Sequence, residues 1–297
     1  ESFNLGSSTI GIYVRRLLVD SYDQKWMICR VTASNPPNPY YMYVFDEKNP
    51  PGQQVRGLKS GTGSGNLPGN AVFSMAEDLD GEVWIGTDDG IAIFYSPEGV
   101  LTGQGEEREA VRPLVDFDGY VQYLLETETV RAIAVDGNNR KWIGTERAGV
   151  FLLAEDATEQ LLHFTEDNSP LLSNTVTDLA INGETGDVYM ATARGLVAYK
   201  GTATEPDDEN SDVYAYPNPV RPGYTGPIAI KGMVGNASVK ITDVNGNLIY
   251  ETRAEGGQAV WNGYNFDGDR ARSGVYLVFI SNDDGSETMV TKILFVN

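Results

Sequence analysis

The chain has 297 residues, enough for one large or two ordinary domains. Its 42 acidic side chains outnumber 22 basic ones, a formal charge of −20; this excludes a nucleic-acid backbone as partner, which needs clustered Lys and Arg, and argues against unaided adhesion to an anionic membrane. A single cysteine, Cys29, excludes an intrachain disulfide, and no run of about 18 apolar residues exists to span a bilayer as a helix.

No stretch carries a sustained helical period, and the 33 glycines punctuate short apolar runs, so the class is all-β. Glu1-Ser2-Phe3 is not the opening of a signal peptide and reads as a cut within a longer chain. Residues 8–13 could close a repeat that precedes the first one visible. From Val14 a pattern recurs four times. Val14, Val72, Val130 and Val176 are each followed six residues later by Asp20, Asp78, Asp136 and Asn182. Trp26, Trp84 and Trp142 follow their Asp by six, and Tyr189 follows Asn182 by seven. A period of that size, built of short strands, signals a repeat architecture whose units cannot hide their own faces. Four blades of a β-propeller are expected, at about 14–59, 70–125, 128–165 and 175–199.

Within each blade the turns follow from local chemistry. Asp-Gly at 80–81 and 136–137, and Gly183-Glu184-Thr185-Gly186, supply hairpins. Gly86 and Gly144 let a neighbouring sheet approach, and Gly90, Gly149 and Gly195 turn the chain into a third strand. The aromatics read as wedges between blades rather than a ring of ligand contacts. The repeated Asp reads as a turn former rather than a calcium ligand. Blade one carries a Pro-rich loop at 34–39, a strand at 40–45 and a flexible Gly/Ser loop at 57–69. Blade two has an acidic insertion at 103–110, and blade three ends in an outer strand at 161–165. Blade four runs directly into acidic sequence with no fourth strand. Four blades are few for a ring, so the chain reads as the C-terminal part of a longer propeller protein.

The D-x-x-G-x-x-W and Ile-Gly-Thr motifs, best kept at 77–94 and 135–153, resemble the two-component regulator propeller repeat. Blade one departs from it at Met27-Ile28-Cys29 and blade four at Met190-Ala191-Thr192.

Residues 201–212 form an acidic linker, disordered by composition. Beyond it, 213–297 reads as an Ig-like β-sandwich of seven short strands, with a two-residue Asn245-Gly246 hairpin turn. Its motifs Tyr216-Pro217-Asn218-Pro219, Ile241-Thr242-Asp243-Val244-Asn245-Gly246, Trp261-Asn262-Gly263 and Ser273-Gly274-Val275-Tyr276 resemble, in order, the C-terminal sorting domain of type IX secretion cargo and related FlgD-like domains. That resemblance implies export through the periplasm to the outer face of the outer membrane of a Bacteroidetes-type bacterium. Cleaved sorting domains usually end in a basic residue or two after the last strand, whereas here Lys292 lies inside that strand, a departure that puts routine cleavage in doubt.

Catalytic, cofactor and metal residues are not expected. His163, the only histidine, falls on an outer strand. Cys29 reads as a small core residue. Gly61-Thr62-Gly63-Ser64-Gly65-Asn66 lacks the Lys-Ser/Thr of a phosphate loop. Asp78 with Asp80, and Asp267 with Asp269, read as turns rather than calcium sites. The architecture and ending resemble the PorZ-type family of type IX surface proteins, in which two propellers precede the sandwich. The resemblance implies a non-enzymatic component that assists attachment of cargo to anionic lipopolysaccharide, with the system's PorU-like sortase as partner. Contact with an anion needs local basic residues, such as Arg15-Arg16 or Arg221, or a metal bridge, although each of those arginines by itself reads as a solvated surface residue. Alternatives are secreted cargo whose propeller binds surface glycan or protein, and a propeller lyase or hydrolase. The sensor half of a hybrid histidine kinase is a further alternative that is nearly excluded, since such a kinase needs a transmembrane helix after its propellers and a strand is expected here instead.

Overall fold

The computed structural model describes residues 12–31, 41–117 and 119–296. The Pro-rich loop at 34–39 and most of the 8–13 stretch lie outside them. The fold is all-β, a propeller followed by an Ig-like sandwich. Two compact units emerge: one spans Glu1–Val135, Asn139–Ala180 and Tyr189–Val197, the other Asp136–Asn138, Ile181–Val188 and Ala198–Asn297. No described helix is long and apolar enough to cross a membrane.

Blade one is a meander of β1 (Ile12–Val19), β2 (Lys25–Val31), β3 (Met42–Phe45) and β4 (Val55–Leu58) in that spatial order. Blade two has three strands, β5 (Val72–Glu77), β6 (Val83–Thr87) and β7 (Gly90–Phe94). Beside β7 the described residues make an Ile93–Val111 bridge in place of a fourth strand. Pro113 has no N–H to extend that ladder. The insertion instead makes a short helix α1 (Gly99–Thr102), a 3-10 turn (Gly105–Arg108) and a separate hairpin, β8 (Leu114–Phe117) with β9 (Tyr120–Tyr123). Blade three is again four-stranded: β10 (Val130–Val135), β11 (Lys141–Thr145), β12 (Val150–Leu153) and β13 (Gln160–Phe164). Blade four has three strands among the described residues, β14 (Val176–Asn182), β15 (Asp187–Thr192) and β16 (Gly195–Lys200).

The repeat spacing is explained by one carboxylate. Asp20 Oδ2 accepts the Trp26 indole N–H at 2.8 Å while Oδ1 accepts the backbone N–H of Tyr22 and Gln24. Asp78 does the same for Trp84, at 3.0 Å, and for the N–H groups of Asp80 and Glu82. The Asp therefore closes the hairpin and aims the wedge together. In blade four, where no indole follows, the residue is Asn182, whose Oδ1 takes the Thr185 N–H. The threonines of the next motif act locally as well. Thr87, Thr145 and Thr192 donate through Oγ1 to the carbonyls of Gly90, Gly149 and Gly195, at 2.8–2.9 Å. Those glycines have positive φ, which explains their choice. A Cβ on Gly86 would meet Val130 Cγ1 at 2.6 Å, and one on Gly144 would meet Val176 Cγ1 at 2.6 Å. Each glycine thus receives the repeat valine of the next blade.

Blade faces pack sequentially. Trp26 lies 5.1 Å from Phe94 and joins Val83, Ile85 and Ala92 of blade two in one core; Trp84 joins Val130, Ile143 and Phe151 of blade three in the next. Trp26, Trp84 and Trp142 are almost wholly buried. Tyr189 does not match them: it is 38% exposed, while its neighbours Val188 and Met190 are buried. In blades one and two the aromatic faces the following blade, and among the described residues none follows blade four.

The second unit contains the sandwich. One sheet orders β17 (Tyr214–Tyr216), β18 (Ile228–Lys231) and β21 (Gln258–Trp261). The other orders β20 (Leu248–Arg253), β19 (Ser238–Thr242), β22 (Gly274–Ser281) and β23 (Thr288–Phe295). Between them Trp261, Tyr276 and Phe295 form an aromatic cluster with centroids 5.5–5.8 Å apart. The motifs have mechanical roles. The Asn218 side chain pairs with the last strand, accepting from Leu294 N at 3.0 Å and donating to Lys292 O at 2.8 Å. Trp261 Nε1 donates to Tyr264 O, and the Tyr276 hydroxyl to Arg272 O. The Asn245-Gly246 turn is longer than two residues. Asp243 N pairs with Asn247 O, and the Asp243 carboxylate accepts from Asn245 N and Asn247 N, so the chain wraps around that side chain. The 201–212 segment is not a free linker. Thr204 bridges Gly256, Asp207 N donates to Met233 O, and buried Asn210 accepts from Val234 N. These backbone contacts tie the segment down, which composition alone does not show.

Candidate functional site

The first strands of the four blades, β1, β5, β10 and β14, converge on a cavity of about 490 Å³. Three of these strands carry a β-bulge at the same place. In β1 the pairing passes from Val14–Cys29 to Arg16–Ile28 and leaves Arg15 out. In β5 it passes from Val72–Thr87 to Ser74–Gly86 and leaves out Phe73. In β10 it passes from Val130–Thr145 to Ala132–Gly144 and leaves out Arg131. A bulged residue is freed from the ladder and re-aimed. Arg15, Phe73 and Arg131 all line the cavity, with Thr177 at the matching position after Val176.

The electrostatics are cationic against an acidic background. Arg16 pairs with Asp178 at 3.1 Å and Arg131 with Glu146 at 2.8 Å. The Arg131 guanidinium lies 4.3 Å from the Phe73 ring centroid. That arginine holds the Glu146 carboxyl below the usual carboxylate range. Arg15 is exposed and has no acidic partner among the described residues. Fixed guanidinium groups around a concave space suit recognition of an anion. Sequence reasoning singled out Arg15-Arg16 but missed Arg131. The available signal was its position, directly after the repeat valine. Arg221 sits exposed in the sandwich unit and is not part of the cavity.

A second cavity, also about 490 Å³, is lined by Asp80, Glu82, Trp84, Tyr95, Glu155 and Asp156. Behind it lies a buried ion pair, Lys141 Nζ to Asp78 Oδ2 at 2.9 Å, with Lys141 also donating to Glu155 O. Burial, then the Asp78 charge, pushes the Glu82 carboxyl up to about 7.

The remaining candidates have structural duties. His163 stacks on Phe151 with centroids 4.0 Å apart, and its Nε2 lies 2.7 Å from Ala148 O. Burial raises the Cys29 thiol to about 11, which suppresses its thiolate. The 61–66 loop, expected to be flexible, is instead fixed from within. The Glu109 carboxylate accepts from Gly63 N and Gly65 N and pairs with Arg56 at 2.8 Å, a pair that is largely buried. Asn265 organises the 265–269 turn by accepting from Asp269 N. Among the described residues no group of three His, Cys, Asp or Glu is placed to hold a metal.

Fold and motifs together define a class: a regulator-type propeller followed by a secretion-type sorting sandwich. Residues 214–296 match the secretion system C-terminal sorting domain, and residues 66–89 match the two component regulator propeller. Within that class the chain is similar to PorZ of Porphyromonas gingivalis, described as an essential bacterial surface component of the type-IX secretion system. Identity is 30%, the TM-score is 0.59, and the match covers 96% of this chain. The chain spans 39% of the length of PorZ. The PorZ-type resemblance read from the sequence is therefore shown. The extracellular domain of the hybrid two component system BT3049 from B. thetaiotaomicron also matches, at 15% identity and TM-score 0.47, over 99% of this chain and 51% of that one. Comparison with curated proteins finds no match.

Proposed function

We propose that the chain is a non-enzymatic, PorZ-like cell-surface component of a type IX secretion system that assists attachment of cargo to anionic lipopolysaccharide. The observation that carries this reading is the joint match: a sorting sandwich at 214–296 and similarity to PorZ across both units at 30% identity. Its place is the outer face of the outer membrane, reached through the periplasm. Its partners are a PorU-like sortase and other attachment-complex proteins. The arginines of the blade cavity give an otherwise acidic chain a local surface for an anionic partner.

The test is deletion of the gene in the bacterium that carries it, with analysis of the surface and medium fractions. Cargo released to the medium with uncleaved sorting domains in the deletion strain, together with an intact C-terminal sequence for this protein in surface extracts of the parent strain, supports the proposal. Normal attachment of cargo, with residues 213–297 absent from the mature protein, would instead make it ordinary secreted cargo.

A further inference from the structure

We propose that the cavity at the first strands of the blades binds an anionic group carried on a sugar, a phosphate ester or a uronate carboxylate, through Arg15, Arg16 and Arg131. The inference names a site for the anionic ligand and so rests on the function proposed above.

Three observations converge on it. The first is placement: Arg15 and Arg131 occupy the same bulged position in blades one and three, and both point into one concave space. Two blades that share packing residues need not share an arginine at the one residue that packing leaves free. The second is preorganisation. Arg131 is held by Glu146 and by the Phe73 ring, and Arg16 is held by Asp178, so little side-chain entropy is lost on binding. The third is charge. Arg16 and Arg131 are each balanced by a carboxylate, whereas Arg15 has no acidic partner among the described residues and leaves the cavity a net cation. A planar guanidinium fork matches the oxygens of a phosphate or carboxylate. A volume of about 490 Å³ falls within the range of small-ligand sites and admits a sugar ring beside the anion. If the arginines only tied blades together, Arg15 would have a carboxylate of its own.

The experiment is calorimetric titration of the full chain and of its R15E variant with glucose 1-phosphate, glucuronate and glucose, alongside binding to vesicles of purified anionic lipopolysaccharide. Arg15 is exposed, so the variant folds, which circular dichroism checks. Glucose 1-phosphate or glucuronate should bind and glucose should not; R15E should weaken binding at least about tenfold, and added salt should weaken it in the wild type. Failure of both anionic sugars to bind, or equal binding by R15E, overturns the site. Lipopolysaccharide that binds wild type and R15E equally also overturns it while leaving the surface role standing. Arg15-dependent sugar binding without any lipopolysaccharide binding supports the site and removes the lipopolysaccharide role.

Discussion

Replacing Asp78 with Asn tests the physical account of the repeat. The side chains of Asp78 and Lys141 are 0% and 1% exposed, and the ion pair between them spans 2.9 Å. The same Oδ2 accepts the Trp84 indole N–H at 3.0 Å, and Oδ1 closes the hairpin through two backbone N–H groups. An Asn can keep the hairpin bonds, but its amide nitrogen faces two donors, the indole and the ammonium. Lys141 then retains the Glu155 carbonyl and the Trp84 ring, 4.9 Å from its Nζ, and loses its ion-paired carboxylate, with the Glu82 and Asp156 charges still acting on it. Leaving one member of a buried pair uncompensated costs about 3–5 kcal/mol. Removing the charge as well should recover part of that loss, because Met matches the Lys stem in volume. In D78N/K141M the destabilisation should fall below that of D78N alone, with a coupling of about 2 kcal/mol across the cycle. Urea unfolding followed by tryptophan emission measures all four proteins. A D78N loss under about 1 kcal/mol, or additivity in the double variant, would refute the claim that this carboxylate anchors the blade.

Two further outcomes follow from the same reasoning. Asn218→Ala removes two hydrogen bonds to the last strand and should cost the sandwich about 1–3 kcal/mol, with faster amide exchange at Leu294 as the direct readout. For Glu82 the folded carboxyl is raised from 4.5 to about 7, so the folded state holds this proton more tightly than the unfolded chain. Its contribution is complete below about pH 4.5 and is lost as pH rises through about 7; the stability difference between wild type and E82Q should therefore shift across that window in urea midpoints and be flat above pH 8.

Much of the fold could be read from the sequence because its determinants are local. Asp20 and Trp26, or Thr87 and Gly90, find each other within a few residues, so spacing records their contact. What spacing could not record is what lies across the gap. Tyr189 follows the pattern of the indoles, yet its burial depends on a neighbouring blade rather than on its own strand. The 61–66 loop owes its order to Glu109, more than forty positions away, and the 201–212 segment owes its order to Met233, Val234 and Gly256. The arginine cavity lay half in view. Arg15-Arg16 stood out as basic residues in an acidic chain, but their meeting with Arg131 depends on three bulges, which leave no mark in the hydrophobic pattern. Asn245-Gly246 shows the opposite error, a strong dipeptide signal overridden by one nearby carboxylate.

The indole-to-carboxylate bond within the hairpins of blades one and two also bears on assembly. Its partners are separated by a single turn, so a nascent blade can orient its own wedge before any neighbour exists. A newly made sheet would then offer a finished docking surface to the one emerging behind it, and the ring could grow by stepwise addition instead of collapsing at once. Shortening such a protein by whole blades should leave the survivors individually shaped, with the damage concentrated at the newly bared face.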